Sequence, residues 1–219
     1  RVLIWEASAV AQAAVEEGVV DPEIAKSFDV DSYRHQLEGR LGLTRSIMRG
    51  VIDKAGRLRQ RIVFTEGDHP TMLKAAAQCI QEGICFPVLL GRSHEIAAAK
   101  EALGLDFTCE EIDPREDPRR RGVYMEQLQK KRGRKGITLP DARRLLKSRV
   151  WFGSMMVEMG DADGIIGGIS RDYPEFLKPC LATIGMDENA HRVVGTYMMT
   201  IKGQLMFISD ATINIYPDA

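Results

Sequence analysis

The chain has 219 residues, 44% of them hydrophobic and 28% charged, with a formal net charge of -1. That balance excludes a dedicated nucleic-acid binder, which carries a basic excess, and no apolar run reaches the ~18 residues of a membrane span. Cys79, Cys85, Cys109 and Cys180, with His35, His69, His94 and His191, show neither zinc spacing nor a disulfide framework, so reduced thiols in a cytoplasm are expected.

The length allows one large domain or two small ones. No signal-peptide pattern is present, and the chain enters a helical pattern directly from Arg1. A piece of a longer polypeptide is expected. Val2, Ile4, Val10, Ala13 and Ala14 recur at helical spacing over residues 2–17, with Gly18 as the stop. The apolar face of that helix wants a partner. Asp21-Pro22 breaks the chain. Asp29 or Asp31 starts a second helical stretch with Tyr33, Leu37 and Leu41 on one face. Thr44 is placed to cap a third, carrying Ile47, Met48, Val51 and Ile52. Arg34, Arg40, Arg45, Arg49, Lys54 and Arg57 line both stretches and read as a solvated face, with a binding surface as the alternative.

From residue 61 the pattern changes. Arg61-Ile-Val-Phe-Thr65 is a strand, turned by Glu66-Gly-Asp-His-Pro70 into a helix with Leu73, Ala76, Ala77 and Ile80 inward. Residues 85–90 form the next strand, and Gly91-Arg-Ser-His94 opens another helix. This alternation defines a parallel α/β sheet. Ligands of such sheets sit beyond the carboxyl ends of the strands, which is where Glu66, Asp68, Arg92 and Ser93 fall. Residues 113–136 are strongly charged and read as a solvated helix, or as one with a subset of basic residues for a phosphorylated ligand. Thr138-Leu-Pro-Asp141 starts a helix, and Met155 and Met156 in the following one are core filler.

The most informative stretch is Asp161-Ala-Asp-Gly-Ile-Ile-Gly-Gly-Ile-Ser-Arg-Asp-Tyr173. Ile165 and Ile166 form a short buried strand. Gly167 and Gly168 carry it through a tight loop to a helix beginning near Pro174, capped by Ser170 or Asp172. Amide groups at such a loop suit an anion, and Arg171 adds a positive charge. The same pattern also suits an ordinary strand-to-helix turn with a surface arginine. Beyond it come two strands, near 192–201 and 204–209, joined as a hairpin around Lys202-Gly203. Asp210, Thr212 and Asn214 cluster after the second.

Three blocks together resemble phosphate acetyltransferases: residues 61–70, residues 151–157 with 161–168, and Phe207-Ile-Ser-Asp210 with Asn214. Lys135-Gly136 and residues 138–143 fall between the first two, so the resemblance spans about residues 58–219. It implies a two-lobed α/β fold with mostly parallel sheets, with lobes at 58–147 and 148–219 and a coenzyme A site in the cleft between them. The family's glycine loop commonly continues with alanine, threonine and histidine; here Ile169, Ser170 and Arg171 stand instead. Residues 7–19 resemble the last helix of a bacterial malic enzyme, and 31–39 the tether of hybrid NADP-dependent malic enzymes that carry an acetyltransferase-like domain.

That second resemblance implies that residues 1–20 end a malic enzyme domain and 21–57 form a helical linker. It implies a regulatory and oligomer-building role, with acetyl-coenzyme A as effector at Gly168, Ser170, Arg171, Tyr173, Asp210, Thr212 and Asn214. No catalytic residue, metal or cofactor is assigned to this chain. NADP and a divalent metal (Mg or Mn) are implied for the malic enzyme domain. The expected partners are that domain and further copies of the same protein, with neither nucleic acid nor membrane. A fragment of an authentic phosphate acetyltransferase, and a purely structural dimerisation module, are the competing readings.

Overall fold

The computed structural model describes residues 2–40, 43–201, 204–211 and 213–214. Its contacts divide the chain into two units, one of residues 54–192 and one combining residues 1–53 with 193–219.

The larger unit is an α/β layer structure. Four parallel strands, β1 (Arg61–Phe64), β2 (Phe86–Leu90), β3 (Glu110–Ile112) and β4 (Gly164–Ile166), lie in the order β3-β2-β1-β4. The central strands are near-continuous apolar runs, as parallel strands covered on both faces must be. Successive side chains point to opposite faces. Phe64 and Leu89 therefore pack with Met72, Leu73, Ala76 and Ile96 under α5 (Pro70–Gln81) and α6 (Ser93–Ala102). Val63, Val88 and Leu90 face the other way. They meet Tyr124 and Leu128 of α7 (Pro118–Arg132), Ala142 of α8 (Leu139–Leu145), and Phe152, Met155 and Met156 of α9 (Arg149–Glu158). Met155 and Met156 are fully buried, as core filler should be. The Tyr124 phenol, buried with its ring, donates to Asp161, the partner a buried hydroxyl requires.

The helix starts follow the sequence. His69 accepts from the Thr71 amide ahead of α5, Asp117 from Arg120 ahead of α7, and Thr138 and Asp141 form a reciprocal capping box at α8. β3 and a short second helix differ from the expectation. β3 is short and two of its three residues are glutamates, which hides it from an apolar-run criterion. α2 (Pro22–Ser27) forms where Asp21-Pro22 reads as a break; Asp21 instead caps it, with Pro22 in the first turn. β4, placed by the sequence reading in a second lobe from residue 148, hydrogen-bonds β1 in the register Val63↔Ile165.

The smaller unit contains α1 (Val2–Glu16), α2, α3 (Val30–Arg40) and the first part of α4 (Leu43–Leu58). α1 packs against α3 through other residues than its apolar face: the Arg34 guanidinium lies 4.3 Å from the centre of the Trp5 ring, and its Nε donates to buried Ser8 Oγ at 3.4 Å, while Val10 stays 69% exposed. Asp29, the earlier of the two candidate caps, accepts from the Ser32 amide. α4 begins at Leu43, so Thr44 lies inside its first turn rather than at its cap. The hairpin of β5 (Thr196–Ile201) and β6 (Gln204–Ser209) is antiparallel as expected; its connecting residues 202–203 lie outside the described residues. β6 is exposed along its whole length, with Phe207 at 65%.

Candidate functional site

Three strand ends converge at the carboxyl edge of the parallel sheet. β1 runs into Thr65 and Glu66, β2 into Gly91 and Arg92, and β4 into residues 167–170. Backbone bonds prolong the sheet there, Thr65 to Ile166 (3.0 Å) and Gly67 to Leu90 (3.0 Å). Two glycines permit the closeness. A Cβ at Gly67 would stand 2.9 Å from Leu89 Cβ and 3.0 Å from the Leu90 carbonyl oxygen, and one at Gly167 would overlap Thr65 Oγ1 and the Phe176 ring. Gly168 follows at φ +92°, a left-handed turn that aims successive amides inward.

Those amides converge on Glu66. Its Oε2 accepts from Gly168 N (2.9 Å) and Ile169 N (3.0 Å), and its Oε1 from Ser170 N (2.8 Å) and Ser170 Oγ (2.5 Å). The residue is only 5% exposed. The loop is thus the anion-binding nest its glycines suggest, and the anion is the chain's own carboxylate. Burial by itself would raise the Glu66 carboxyl. The Ser170 hydroxyl and the amides of Ser170, Ile169 and Gly168 outweigh it and hold the group below its ordinary value.

A charged chain flanks this anchor. Arg149, in the first turn of α9, makes a two-pronged contact with Asp68, one prong at 3.2 Å, and reaches Glu95 at 3.4 Å. Arg92 Nη1 donates to the other oxygen of Glu95 at 2.6 Å. Burial raises the Asp68 carboxyl, and Arg149, through its bond and its charge, more than reverses that. The β1–α5 loop, the start of α6 and the start of α9 are thereby tied together.

The candidate residues sort themselves accordingly. Gly168 and Ser170 belong to the Glu66 anchor. Ser170 does not cap α10 (Tyr173–Thr183), because its hydroxyl is donated to Glu66; Asp172 holds the cap position without a side-chain bond. Arg171 forms a 3.8 Å ion pair with Glu175, the surface alternative of the sequence reading, and Tyr173 is 48% exposed. Asp210 and Asn214 belong to the other unit. There Asn214 Nδ2 donates to Asp210 Oδ2 (2.7 Å) and to the Val193 carbonyl (3.0 Å), with Asp210 at φ +58°. Thr212 lies outside the described residues.

The basic helix α7 is engaged within the chain. Arg132 donates to the Leu181 and Ala182 carbonyls and Lys131 to that of Ile184, satisfying the carboxyl end of α10. Arg120 is bonded to Glu110 and Asp117. Among the described residues, no group of three His, Cys, Asp or Glu side chains is gathered to hold a metal ion, and no helix is long and apolar enough to cross a membrane.

The phosphate acetyl/butaryl transferase family model matches residues 46–219, and the chain belongs to that family. The phosphotransacetylase of Streptococcus pyogenes superimposes with a TM-score of 0.73 at 28% identity, covering 79% of this chain and 53% of that one. The EutD phosphotransacetylase of Staphylococcus aureus gives 0.69 at 26% identity, covering 77% and 51%. In sequence, the NADP-dependent malic enzyme of Escherichia coli is 30% identical over 224 residues, 100% of this chain and 29% of its own length. The phosphate acetyltransferase of Thermoanaerobacterium thermosaccharolyticum is 33% identical over 181 residues, 80% of this chain and 54% of its own. The chain therefore spans under a third of the malic enzyme and just over half of the acetyltransferase.

Proposed function

We propose that this chain is the acetyltransferase-like domain of an NADP-dependent malic enzyme, which senses acetyl-coenzyme A and builds the oligomer without transferring acetyl groups. One observation carries the reading. The similarity to malic enzyme runs the whole length of the chain, through α1–α3 as well as the α/β unit, whereas the acetyltransferase similarity covers 80% of it. On this reading NADP, the divalent metal and the oxidative decarboxylation of malate to pyruvate belong to the malic enzyme domain.

The Glu66 anchor supports the absence of acetyl transfer. The amides of Gly168, Ile169 and Ser170 already serve an internal carboxylate, and are not left for a phosphate nucleophile or an acyl oxygen. Arg171 and Tyr173 remain for an effector at the start of α10. The Arg171–Glu175 pair is exposed and loose, worth under about 1 kcal/mol, so redirecting the guanidinium to a coenzyme phosphate costs little. The second reading, an authentic phosphate acetyltransferase, is favoured by the family match and by the two phosphotransacetylase structures.

The deciding experiment titrates the full-length protein with acetyl-coenzyme A while malate oxidation and acetyl phosphate formation are assayed separately. Malate oxidation that responds to the titration, with no acetyl phosphate formed, is the expected result. Acetyl phosphate formation would transfer the assignment to the second reading, and malate oxidation indifferent to the ligand would remove the sensing role.

A further inference from the structure

The edge of the parallel sheet opposite the Glu66 anchor holds a cavity of about 580 Å³, within the ~300–1,000 Å³ range of small-molecule sites. It lies where the amino ends of β1, β2 and β3 meet the end of α5 and the residue that follows α4. The two helix ends pack directly: a Cβ at Gly56 would stand 3.1 Å from the Gly83 carbonyl oxygen. The wall is mostly apolar. Ile80 and Phe86 line it at 36% and 52% exposure, and Phe86 is the one exposed residue of β2. Arg59 lines it too. That residue stands at φ +49°, in the left-handed region that suits glycine, and its N–H closes α4 on the Ala55 carbonyl (3.1 Å). Glycine would make the same turn without strain, so the arginine is held there at a cost to the fold, the pattern expected of a side chain kept for binding.

We propose that this cavity binds a small organic monoanion, a carboxylate on an aromatic or branched apolar body. The charges on the wall set the ligand's charge. Arg61 Nη2 donates to Glu110 Oε2 at 2.5 Å, so those two neutralise each other, and Glu110 is held from its other oxygen by Arg120 at 3.2 Å. Arg59 has no carboxylate partner among the described residues, which leaves one positive charge for one negative charge. The backbone argues against a phosphate. The amides at this edge are spent: Arg61 N on Asp163 Oδ2 (2.7 Å), Gly83 N on the Ile80 carbonyl (3.1 Å), Ile84 N on that of Cys79 (2.8 Å) and Phe86 N on that of Gln60 (2.8 Å). No nest of N–H groups is left there to cradle a dianion. The planar fork of Arg59 instead matches the two oxygens of a carboxylate. Phe86 and Ile80 supply the apolar surface on which the ligand's body rests.

The test titrates the full-length protein by calorimetry with three probes: 4-phenylbutyrate, its neutral amide, and the dianion phenyl phosphate. The acid should bind saturably at one site per chain, and the amide and the phosphate each about tenfold more weakly or not at all. Arg59→Gly should weaken binding of the acid by about tenfold or more, while its melting temperature stays level or rises because the strained turn is relieved. That combination separates a binding arginine from a structural one. Phe86→Ala, at an exposed position, should weaken binding about five- to tenfold. Should Arg59→Gly fail to fold, the acid–amide comparison and Phe86→Ala decide. No saturable binding of the acid, an amide or a phosphate that binds as tightly, or an Arg59→Gly protein that binds like wild type would overturn the proposal.

Discussion

Glu66 Oε2 accepts the backbone N–H of Gly168 at 2.9 Å, joining the end of β1 to the loop that leaves β4. The register makes the meeting inevitable: Phe64 pairs with Ile166, so the residues two places further on, Glu66 and Gly168, come level. Glu66→Gln should therefore destabilise the α/β unit by about 1–3 kcal/mol, because its NH2 would face donors and leave part-buried N–H groups without their acceptor. Urea denaturation of the variant against wild type measures this. A midpoint unchanged within error would mean the anchor contributes nothing.

Close packing around the same loop predicts opposite signs for two glycine substitutions. At Gly167 a Cβ would collide with Thr65 and Phe176, and Gly167→Ala should cost about 2–3 kcal/mol through overpacking. Gly122 lies inside α7, where an added Cβ meets nothing within 4 Å. Gly122→Ala should gain about 0.5–1 kcal/mol from helix propensity. Thermal melts of the pair decide it, and the same sign in both would contradict the packing described.

Acid sensitivity follows from Glu66 and Asp68, whose folded carboxyls lie below their ordinary values of 4.5 and 3.8. Between the folded and ordinary values the unfolded chain binds more protons, so stability rises with pH there. The contribution is complete above the ordinary values and lost as the pH falls through the folded ones. The urea midpoint should hold steady from neutrality to about pH 5 and fall steeply below it. Glu66→Gln should flatten part of that fall. A variant as acid-sensitive as wild type would assign the slope to other carboxylates.

Much of this is legible in the amino-acid sequence. Apolar runs bounded by turn residues place β1, β2 and β4 to within a residue or two, because strands covered on both faces leave an unbroken signature. β3 escaped because an edge strand of two glutamates and an isoleucine has no such signature. The glycine loop was readable as an anion nest, but its occupant was not. Glu66 and Gly168 are more than a hundred residues apart, and only the β1–β4 pairing brings them level. Arg149 was missed for a similar reason: nothing near it in sequence announces Asp68, its partner from the β1–α5 loop.

Binding of acetyl-coenzyme A to the full-length protein, measured by isothermal titration calorimetry for wild type and Arg171→Ala, is the most direct measurement of the central claim. The account predicts saturable binding by wild type. It also predicts a loss of about 10- to 100-fold in the variant, the equivalent of one charge-assisted bond of roughly 1.5–3 kcal/mol, with basal malate oxidation intact. Wild-type protein that binds no acetyl-coenzyme A, or binds it equally well in both forms, would contradict the account.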